Sequence, residues 1–413
     1  MTFRQAEEYL LGLELFGMRF GLDRMHRLMT VLGLPQRRYA SVHVVGSNGK
    51  SSTVRFIAAI LQRHGLRSGS YTSPHLGSFR ERIEVAEEAI SETEFAAAVE
   101  RASHAAELVN RSGEPDDRVT QFEALTAAAY HELARRGVEV AVIEAGLGGR
   151  FDATNVIPSK VQVLTSVSLE HTRWLGPTLA DIAEEKLDVV TDHATLVVGD
   201  LDPESLSVAQ RVVAERHARL VHAPGDPGLP LRAAGRFQRR NFALAAAAAE
   251  ALLERPLDPR AVELAAAETI VPGRLEVVAE RPLTVFDGAH NPSGSSALAA
   301  SLDDVLGEHR PRVAVIGVLD DKDAAGMLDV LLPHLDRVVF TRSQNPRSLS
   351  PATLASLEEK VGGPPWETVA EPRAALERAR ELAGPDGSVL ATGSIYLVAD
   401  LVRNEAGARA SSL

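Results

Sequence analysis

The stretch 42-VHVVGSNGKSSTVRF-56 decides the fold, because a short β-prone run passes through a glycine-rich turn into a helix-forming segment. It contains G-x-x-G-K-S, formed by Gly46, Gly49, Lys50 and Ser51, whereas the strict phosphate-binding loop needs an earlier glycine where this chain has valine. A strand that delivers the loop, glycines that free backbone N–H groups and a helix N-terminus still favour an anion. In such a site, Lys50 would reach the terminal phosphates of a nucleotide. The alternative is a tight turn that carries a solvated lysine.

The bulk composition narrows the classes of function. The 413 residues suffice for two or three domains, and the net charge of −12 argues against nucleic acid or an anionic membrane as the main partner. Cysteine is absent, which excludes disulfides, thiolate metal sites and cysteine nucleophiles. No stretch resembles a signal peptide or a membrane span. We therefore expect a cytoplasmic protein that binds small molecules, with a frayed tail at 404-NEAGARASSL-413.

The fold class follows from short apolar runs that alternate with alanine-rich helical stretches. Continuous apolar runs are typical of strands buried on both faces, so the alternation predicts parallel sheets covered by helices. The predicted strands are 42–45, 70–72, 138–143, 161–167, 195–198, 283–286, 313–316, 337–341 and 388–391. The clearest predicted helices are 51–64, 122–136 and 241–253.

A domain boundary is predicted where Pro272 and Gly273 interrupt a helical pattern just before a new series of strands. Residues 1–272 would form an α/β domain with a P-loop-type, mostly parallel sheet. Residues 273–413 would form a smaller, Rossmann-like α/β domain. Ligands of open parallel sheets gather outside the carboxyl ends of the strands, so polar residues at those ends are the candidates for a site.

Three such residues follow predicted strands of the first domain. They are Ser73 in YTSPH, Glu144 in VAVIEAGLGG and His171 in VSLEHT. We expect them to converge near Lys50 at one edge of the sheet. A serine, a carboxylate and an imidazole suit Mg²⁺ only in part, because magnesium prefers oxygen ligands. Taken singly, the three residues could instead be a turn serine, a surface glutamate and a loop histidine.

A second glycine-rich run, 146-GLGGRFDATN-155, could be mistaken for the dinucleotide fingerprint G-x-G-x-x-G. Phe151 replaces the third glycine and Arg150 would crowd the pyrophosphate turn, which disfavours a nicotinamide cofactor. A loop that carries Arg150 and Asp152 beside a metal site is the better interpretation. Lys186, on a predicted helix, reads from composition alone as a solvated lysine paired with an acidic neighbour on the same helix.

In the C-terminal half, the strand of 283-LTVFDGAHNPSG-294 ends in Asp287, and His290 lies on the following loop. These two residues could form an acid–base or substrate-positioning pair. His290 could equally cap the helix that begins near Pro292. Lys322 and Ser394 each follow another predicted strand, so they point toward the same rim.

Ten segments occur in the order of a known family over nearly the whole chain. They are GSNGKSS, YTSPHLGSFRERI, QFEALTAAAY, EAGLGGRFDATN, SLEHTRWLGPTLADIAEEK, GRFQRRNFALA, PGRLEV, DGAHNP, GVLDDKD and TGSIYLV. The chain thereby resembles the folylpolyglutamate synthase and dihydrofolate synthase family of the Mur ligase superfamily. YTSPHL, GLGGRFDATN and DGAHN are together very specific, and the shortened phosphate loop is usual in this superfamily.

The resemblance implies an ATP-dependent ligase that joins L-glutamate to dihydropteroate or a folate through an acyl phosphate, as part of one-carbon metabolism. It implies ATP and Mg²⁺ as cofactors, an ATP and pterin site within 1–272, and a glutamate site within 273–413. The implied ATP contacts are Gly46, Ser47, Asn48, Gly49, Lys50, Ser51, Ser52, Asn241, Arg274 and Asp287.

The remaining implied roles follow position by position. Ser73, Glu144 and His171 would bind Mg²⁺ directly or through water. The implied catalytic residues are Lys50, Lys186, Asp287, His290 and Ser394, with Lys186 carbamylated by CO₂ and the last two positioning glutamate. The implied pterin-side contacts are Thr120, Phe151, Asp152 and Ala153, together with 21-GLDRM-25.

The chain also departs from the family pattern. Ser51 stands where the folate enzymes commonly carry a second glycine, and Phe237 stands where a histidine is frequent. After Lys186, the residues LDVV replace the usual continuation, and Asp188 adds a negative charge near the expected carbamate. None of these departures removes a charged residue to which the resemblance assigns a role.

Two rival functions stay open at this point. The nearest is a cell-wall ligase of the same superfamily, and the other is a nucleotide-dependent switch without catalysis. The order of the motifs and YTSPHL favour the folate branch, in which dihydrofolate synthase, folylpolyglutamate synthase or both activities are compatible with the motifs. The expected partners are small molecules only, and the expected state is a monomer.

Overall fold

The computed structural model describes residues 1–14, 21–114 and 117–403, so the predicted tail at 404–413 lies outside the described residues. The strands are β1 (Ala40–Val45), β2 (Ser68–Tyr71), β3 (Ile83–Val85), β4 (Glu88–Ala89), β5 (Val140–Glu144), β6 (Val161–Leu164), β7 (Thr195–Val198), β8 (Arg219–His222), β9 (Glu276–Glu280), β10 (Leu283–Phe286), β11 (Arg312–Ile316), β12 (Arg337–Phe340), β13 (Trp366–Thr368) and β14 (Ser388–Thr392). The helices are α1 (Phe3–Leu11), α2 (Asp23–Val31), α3 (Lys50–Arg63), α4 (Glu92–Arg111), α5 (Gln121–Arg135), α6 (Thr172–Leu175), α7 (Leu179–Leu187), α8 (Pro203–Glu215), α9 (Arg236–Leu253), α10 (Pro259–Glu268), α11 (Pro292–Leu306), α12 (Ala324–Leu331), α13 (Pro351–Val361), α14 (Pro372–Ala383) and α15 (Ile395–Val402).

The first sheet has the strand order β4-β3-β2-β5-β1-β6-β7-β8. Every neighbouring pair from β2 to β8 is parallel, whereas β3 and β4 are antiparallel at one edge. Strand β1 is central, and all of its residues except the first are buried. Because β2, β5, β1 and β6 are parallel neighbours, the loops at their carboxyl ends meet on one side of the sheet.

Helices cover both faces of this sheet. On one face α3 packs against α9, where the rings of Phe56 and Phe242 meet edge to face with centroids 5.2 Å apart. The alanine run of α9 buries Ala245, Ala248 and Ala249, and such small side chains let the helix backbones approach closely. The helical interpretation of that run is therefore confirmed. The other face packs against α1, α2, α4 and α5.

The second sheet has the order β13-β12-β11-β14-β10-β9, parallel throughout except for β9. It begins at Glu276, after α10 ends at Glu268. The boundary between residues 272 and 273 stays a prediction. In the described ranges, every helix is too short or too polar to span a bilayer.

The predicted fold class is confirmed, with a mostly parallel first sheet and a smaller second α/β unit. Each predicted strand is present, with ends that differ by a few residues. The sequence did not predict β3, β4, β8, β9 and β13. Four of these are the outermost strands of the two sheets, and their side chains are largely exposed or half-buried. An edge strand faces solvent on one side, so it lacks the continuous apolar run on which the prediction relied.

Candidate active site

The carboxyl ends of β2, β5, β1 and β6 open into a cleft of about 1360 Å³, which loops of the second sheet line from the opposite side. Arg150 does not line this cleft and pairs instead with Glu185 and Asp188. The other single residues predicted for the site do line it. These residues are Gly46, Ser47, Asn48, Gly49, Lys50, Ser51, Ser52, Ser73, Thr120, Glu144, Phe151, Asp152, Ala153, His171, Lys186, Asn241, Arg274, Asp287, His290 and Ser394. Glu144 and Ser73 lie beside the phosphate loop, since Glu144 accepts from Ser51 and from the Ser73 N–H. The convergence of all three strand-end residues near Lys50 and the individual roles stay predictions.

The phosphate loop has the backbone of an anion cradle. Gly46 has φ +147° and Gly49 has φ +85°, and a Cβ at Gly46 would lie 2.0 Å from Thr165 Oγ1. Only glycine fits there, because the loop runs against the end of β6. Lys50 Nζ donates to the carbonyl oxygens of Gly46 at 2.9 Å and Ser47 at 3.3 Å. The Lys50 side chain therefore folds back over its own loop. A bound anion would take the place of the two carbonyl oxygens as the hydrogen-bond acceptor of Nζ.

Glu144, at the end of β5, has a partner on each carboxylate oxygen. Ser51 Oγ donates to Oε1 at 2.9 Å, and the Ser73 N–H donates to Oε2 at 3.1 Å. Burial raises the pKa of Glu144, and Lys50 opposes that increase. A buried carboxylate beside two serines is a hard oxygen donor set that fits Mg²⁺. In the described part of the chain no three His, Asp or Glu residues group to hold a metal ion, so hydroxyl groups and water would complete the shell.

His171 lies farther along the same rim and contacts the second domain. Its φ is +49°, and its Nε2 lies 3.1 Å from Lys322 Nζ. Burial, with Lys322 next in importance, lowers the pKa of His171 to about 4, so the imidazole is neutral at neutral pH. Its lone pair can accept from Lys322, and its proposed role as a metal ligand would require that lysine to move.

Lys186 differs from the solvated lysine that composition suggests. It is 1% exposed, and its Nζ donates to Gly46 O at 3.1 Å and to Glu170 Oε1 at 3.1 Å. The partner is therefore Glu170, not an acidic neighbour on its own helix. Burial lowers the pKa of Lys186, and the Glu170 carboxylate, the next largest influence, opposes that decrease. Sequence reasoning missed Glu170, although it directly precedes His171 in the loop after β6.

On the second domain, Asp287 holds the loop after β10. Its oxygens accept from the N–H groups of Leu275 at 2.9 Å and Ala289 at 2.8 Å. Burial raises the pKa of Asp287, and Arg274 opposes that increase. Because a carboxylate bound to two backbone segments fixes their separation, Asp287 shapes the rim on which Arg274 and His290 lie.

His290 lines the cleft but does not cap α11, so that alternative was wrong. The cap is Asn291, whose Oδ1 accepts from Gly294 N at 2.7 Å. His290 Nδ1 lies 3.1 Å from Gly288 O, which can only accept, so Nδ1 carries the proton and Nε2 the lone pair. Burial lowers the pKa of His290 to about 4, which keeps this tautomer neutral.

Three other predicted contacts also have structural partners. Ser394 caps α15, where its side chain accepts from Tyr396 N at 3.1 Å. Asn241 packs on the phosphate loop, since a Cβ at Gly49 would lie 2.4 Å from Asn241 Oδ1. Arg274 Nη1 donates to Gly273 O at 3.0 Å, which holds its guanidinium at the cleft wall.

The predicted pterin side lies where the glycine-rich loop after β5 meets the start of α5. Thr120 caps α5, and Phe151 is 47% exposed in the cleft. Asp152 is buried and accepts from the N–H groups of Leu147 at 2.8 Å and Thr154 at 3.0 Å, so it holds the loop in shape. Arg24, within the predicted stretch 21–25, lines the same end of the cleft.

Comparison with known proteins bears on this cleft. Residues 273–395 match the family model described as Mur ligase, glutamate ligase domain. The chain is 36% identical over 97% of its length to a "Probable bifunctional folylpolyglutamate synthase/dihydropteroate synthase" of Haloferax volcanii, and it spans 50% of that relative. It is also 36% identical to a "Dihydrofolate synthase/folylpolyglutamate synthase" of Mycobacterium tuberculosis, over 85% of this chain and 80% of that relative.

Solved structures agree over almost the whole chain. "Mycobacterium tuberculosis Folylpolyglutamate synthase complexed with ADP" matches with a TM-score of 0.91 and 32% identity, over 99% of both chains. "E.coli FolC in complex with DHPP and ADP" matches with a TM-score of 0.86 and 29% identity, over 97% of both chains. The fold and the cleft define an ATP-dependent ligase of the Mur ligase superfamily. Within it, the chain belongs to the folylpolyglutamate synthase/dihydrofolate synthase family.

Proposed function

We propose that this chain joins L-glutamate to dihydropteroate, to a tetrahydrofolate, or to both, through an acyl-phosphate intermediate. One observation carries the proposal: the phosphate loop of the first sheet faces His290 and Ser394 of the second across a single cleft. The names of the relatives and the complex with DHPP and ADP support the same chemistry. A ligase must hold both an activated acid and an amine, and a cleft between two domains can hold one on each wall.

The reaction has to make a carboxylate reactive. A carboxylate is a poor electrophile because it is anionic and lacks a good leaving group. We propose that its oxygen bonds to the γ-phosphorus of ATP while the bond from that phosphorus to the bridging oxygen breaks, giving an acyl phosphate and ADP. The glutamate amine then bonds to the carbonyl carbon, and the tetrahedral adduct loses a proton and inorganic phosphate.

The chain's contribution to the first step is charge neutralisation and positioning. Lys50 Nζ and the loop N–H groups would contact the phosphoryl oxygens, in place of the Gly46 and Ser47 carbonyls that Lys50 contacts now. Ser51, Ser73 and Glu144 would hold Mg²⁺, which supplies positive charge to the phosphate oxygens when bound. Such preorganised charges stabilise the negative charge that the phosphoryl oxygens carry in the transition state.

The second step requires a correctly held amine. The neutral His290 exposes a lone pair on Nε2, which can accept a hydrogen bond from the glutamate amine. Ser394 lies on the same side of the cleft and would help to orient the amino acid. Because both residues belong to the second domain, we propose that closure of the domains brings the amine to the acyl phosphate.

We also propose that CO₂ carbamylates Lys186. Burial lowers the pKa of Lys186, which favours the neutral amine that reacts with CO₂, whereas the ion pair with Glu170 favours the ammonium form, so carbamylation requires Lys186 to leave that pair. The product would be an anion beside Glu170, so a cation has to lie between the two groups. Mass spectrometry cannot retain so labile an adduct, but ¹³C NMR in ¹³C-bicarbonate should show a carbamate resonance. The resonance should be absent from Lys186→Ala.

The test of the main proposal is an assay of the purified chain with ATP, Mg²⁺ and glutamate, comparing dihydropteroate with tetrahydrofolate. Formation of the amide with either acceptor, with equimolar phosphate, is expected. Turnover of a muramyl peptide instead would identify a cell-wall ligase, and ATP binding without glutamate-dependent phosphate release would identify a switch.

We further propose a cytoplasmic monomer, and light scattering during size exclusion tests the monomeric state.

A further inference from the structure

Asn48 of the phosphate loop and Asn291 of the second domain form a reciprocal pair of side-chain hydrogen bonds. Asn48 Nδ2 donates to Asn291 Oδ1 at 3.3 Å, and Asn291 Nδ2 donates to Asn48 Oδ1 at 3.1 Å. We propose that this pair, the amide clasp, is a positioning element that places the glutamate-side loop according to the state of the phosphate loop. The inference rests on the proposed function, because it assigns the clasp a role in glutamate transfer.

The clasp is anchored firmly on the first domain. Asn48 N donates to Ser166 Oγ at 3.0 Å, and Asn48 O accepts from Thr165 Oγ1 at 2.6 Å. These bonds fix the backbone of Asn48 against the end of β6. Its side-chain amide extends from this anchor to Asn291. Because the backbone of Asn48 is held in place, the position of Asn291 follows the position of the phosphate loop.

The anchor on the second domain is equally well defined. Asn291 is 4% exposed, and its Oδ1 also accepts from Gly294 N as the cap of α11. The preceding residue, His290, lies on the proposed glutamate side of the cleft. A shift of Asn291 must therefore shift both the start of α11 and the imidazole. The path from the phosphate loop to His290 therefore consists of the Asn48 and Asn291 side chains and one peptide bond.

Other contacts join the same two domains at positions away from the phosphate loop. They include Lys322 with His171 at 3.1 Å, and Arg403 Nε with Leu76 O at 3.2 Å. Neither contact includes a residue of the phosphate loop. The clasp begins within the phosphate loop itself, so any displacement of that loop and of its anchor at the end of β6 would be passed to Asn291.

The kinetic test uses Asn48→Ala and Asn291→Ser. Serine retains the helix cap of α11 but is too short to reach Asn48. Each variant should raise KM for glutamate about tenfold with kcat within about threefold, and the double variant should be no worse than either single one. Ser296→Ala, on the exposed part of the same helix, should keep the unmodified KM. Additive losses, or a loss in kcat alone, would overturn the clasp.

A distance measurement separates the clasp from the proposed function. Because the chain has no cysteine, Glu204→Cys in α8 and Glu359→Cys in α13 allow specific spin-labelling of exposed positions. With the ATP analogue AMPPCP bound, the two labels should give one narrow distance distribution. In Asn48→Ala and in Asn291→Ser the distribution should become broader and shift to longer distances. An unchanged distribution overturns the clasp even if glutamate is ligated. Broadening in a protein that ligates no glutamate supports the clasp and overturns the proposed function.

Discussion

At the scale of single residues, Lys50 is held by its own loop and not by another element. Its Nζ donates only to backbone carbonyls in the described structure, at Gly46 and Ser47, so truncation breaks no side-chain hydrogen bond, although the buried Glu144 loses a nearby positive charge. We expect Lys50→Ala to fold normally and to lower glutamate-dependent phosphate release by about 10²–10³-fold, the cost of losing one preorganised charge. Lys360→Ala, on the exposed side of α13, is the control. A near-normal rate in Lys50→Ala would contradict the phosphate-site assignment.

His43 makes the stability of the protein depend on pH. It is buried in β1 with Nε2 2.8 Å from Thr154 Oγ1, and burial lowers its pKa from 6.5 to about 3. Between these values the unfolded chain binds a proton that the folded chain does not, so stability is complete above pH 6.5 and falls as the pH decreases. His43→Gln should flatten the dependence of unfolding free energy by up to about 1.4 kcal/mol per pH unit.

Chemical denaturation between pH 6.5 and 4.5 measures this slope. The exposed His104→Gln variant should retain the slope of the unmodified chain. An equal slope in His43→Gln and the unmodified chain would show that His43 does not remain neutral on folding.

At the scale of elements, the unit formed by β1, the phosphate loop and α3 depends on left-handed backbone at Gly49. A Cβ there would meet Asn241 Oδ1 at 2.4 Å, whereas Gly137 also has positive φ, +64°, but has open space around it. Gly137→Ala should therefore cost only the backbone strain, about 1 kcal/mol. Gly49→Ala should cost more and weaken AMPPCP binding at least about tenfold, because Asn241 and the loop must move. Urea unfolding measures the loss of stability, and calorimetric titration measures the loss of AMPPCP affinity. If Gly49→Ala and Gly137→Ala lost the same stability and affinity, the contact with Asn241 would be excluded.

At the scale of the whole molecule, Lys322 carries a positive charge from the second domain to the rim of the first. Its Nζ lies 3.1 Å from His171 Nε2, so the charge reaches the proposed phosphate site only when the domains are together. We expect Lys322→Ala to lower kcat by about 10²-fold while AMPPCP affinity changes less than about twofold. Rapid-quench kinetics and titration separate the two effects. A loss confined to nucleotide affinity would instead make Lys322 a simple contact for ATP.

The order of elements and the local backbone were largely predictable. Gly46, Gly49 and Lys50 indicated a loop between strand and helix, and continuous apolar runs indicated the buried strands, because backbone freedom and burial on both faces leave direct marks in a local sequence. The outer strands β4, β8, β9 and β13 left no such mark, since half of each faces solvent. Strand-end positions also indicated the rim on which Ser73, Glu144 and His171 lie.

The sequence by itself determined the phosphate loop, the α/β class and the residues that could carry chemistry, because each depends on residue type and short spacing. Only the tertiary structure decided which distant side chains meet. Lys186 pairs with Glu170 and contacts Gly46, 140 residues away, and Asn48 meets Asn291, 243 residues away. Those meetings depend on the order β2-β5-β1-β6 and on the docking of the second sheet. Both arise from packing summed over the whole chain, which no local pattern records.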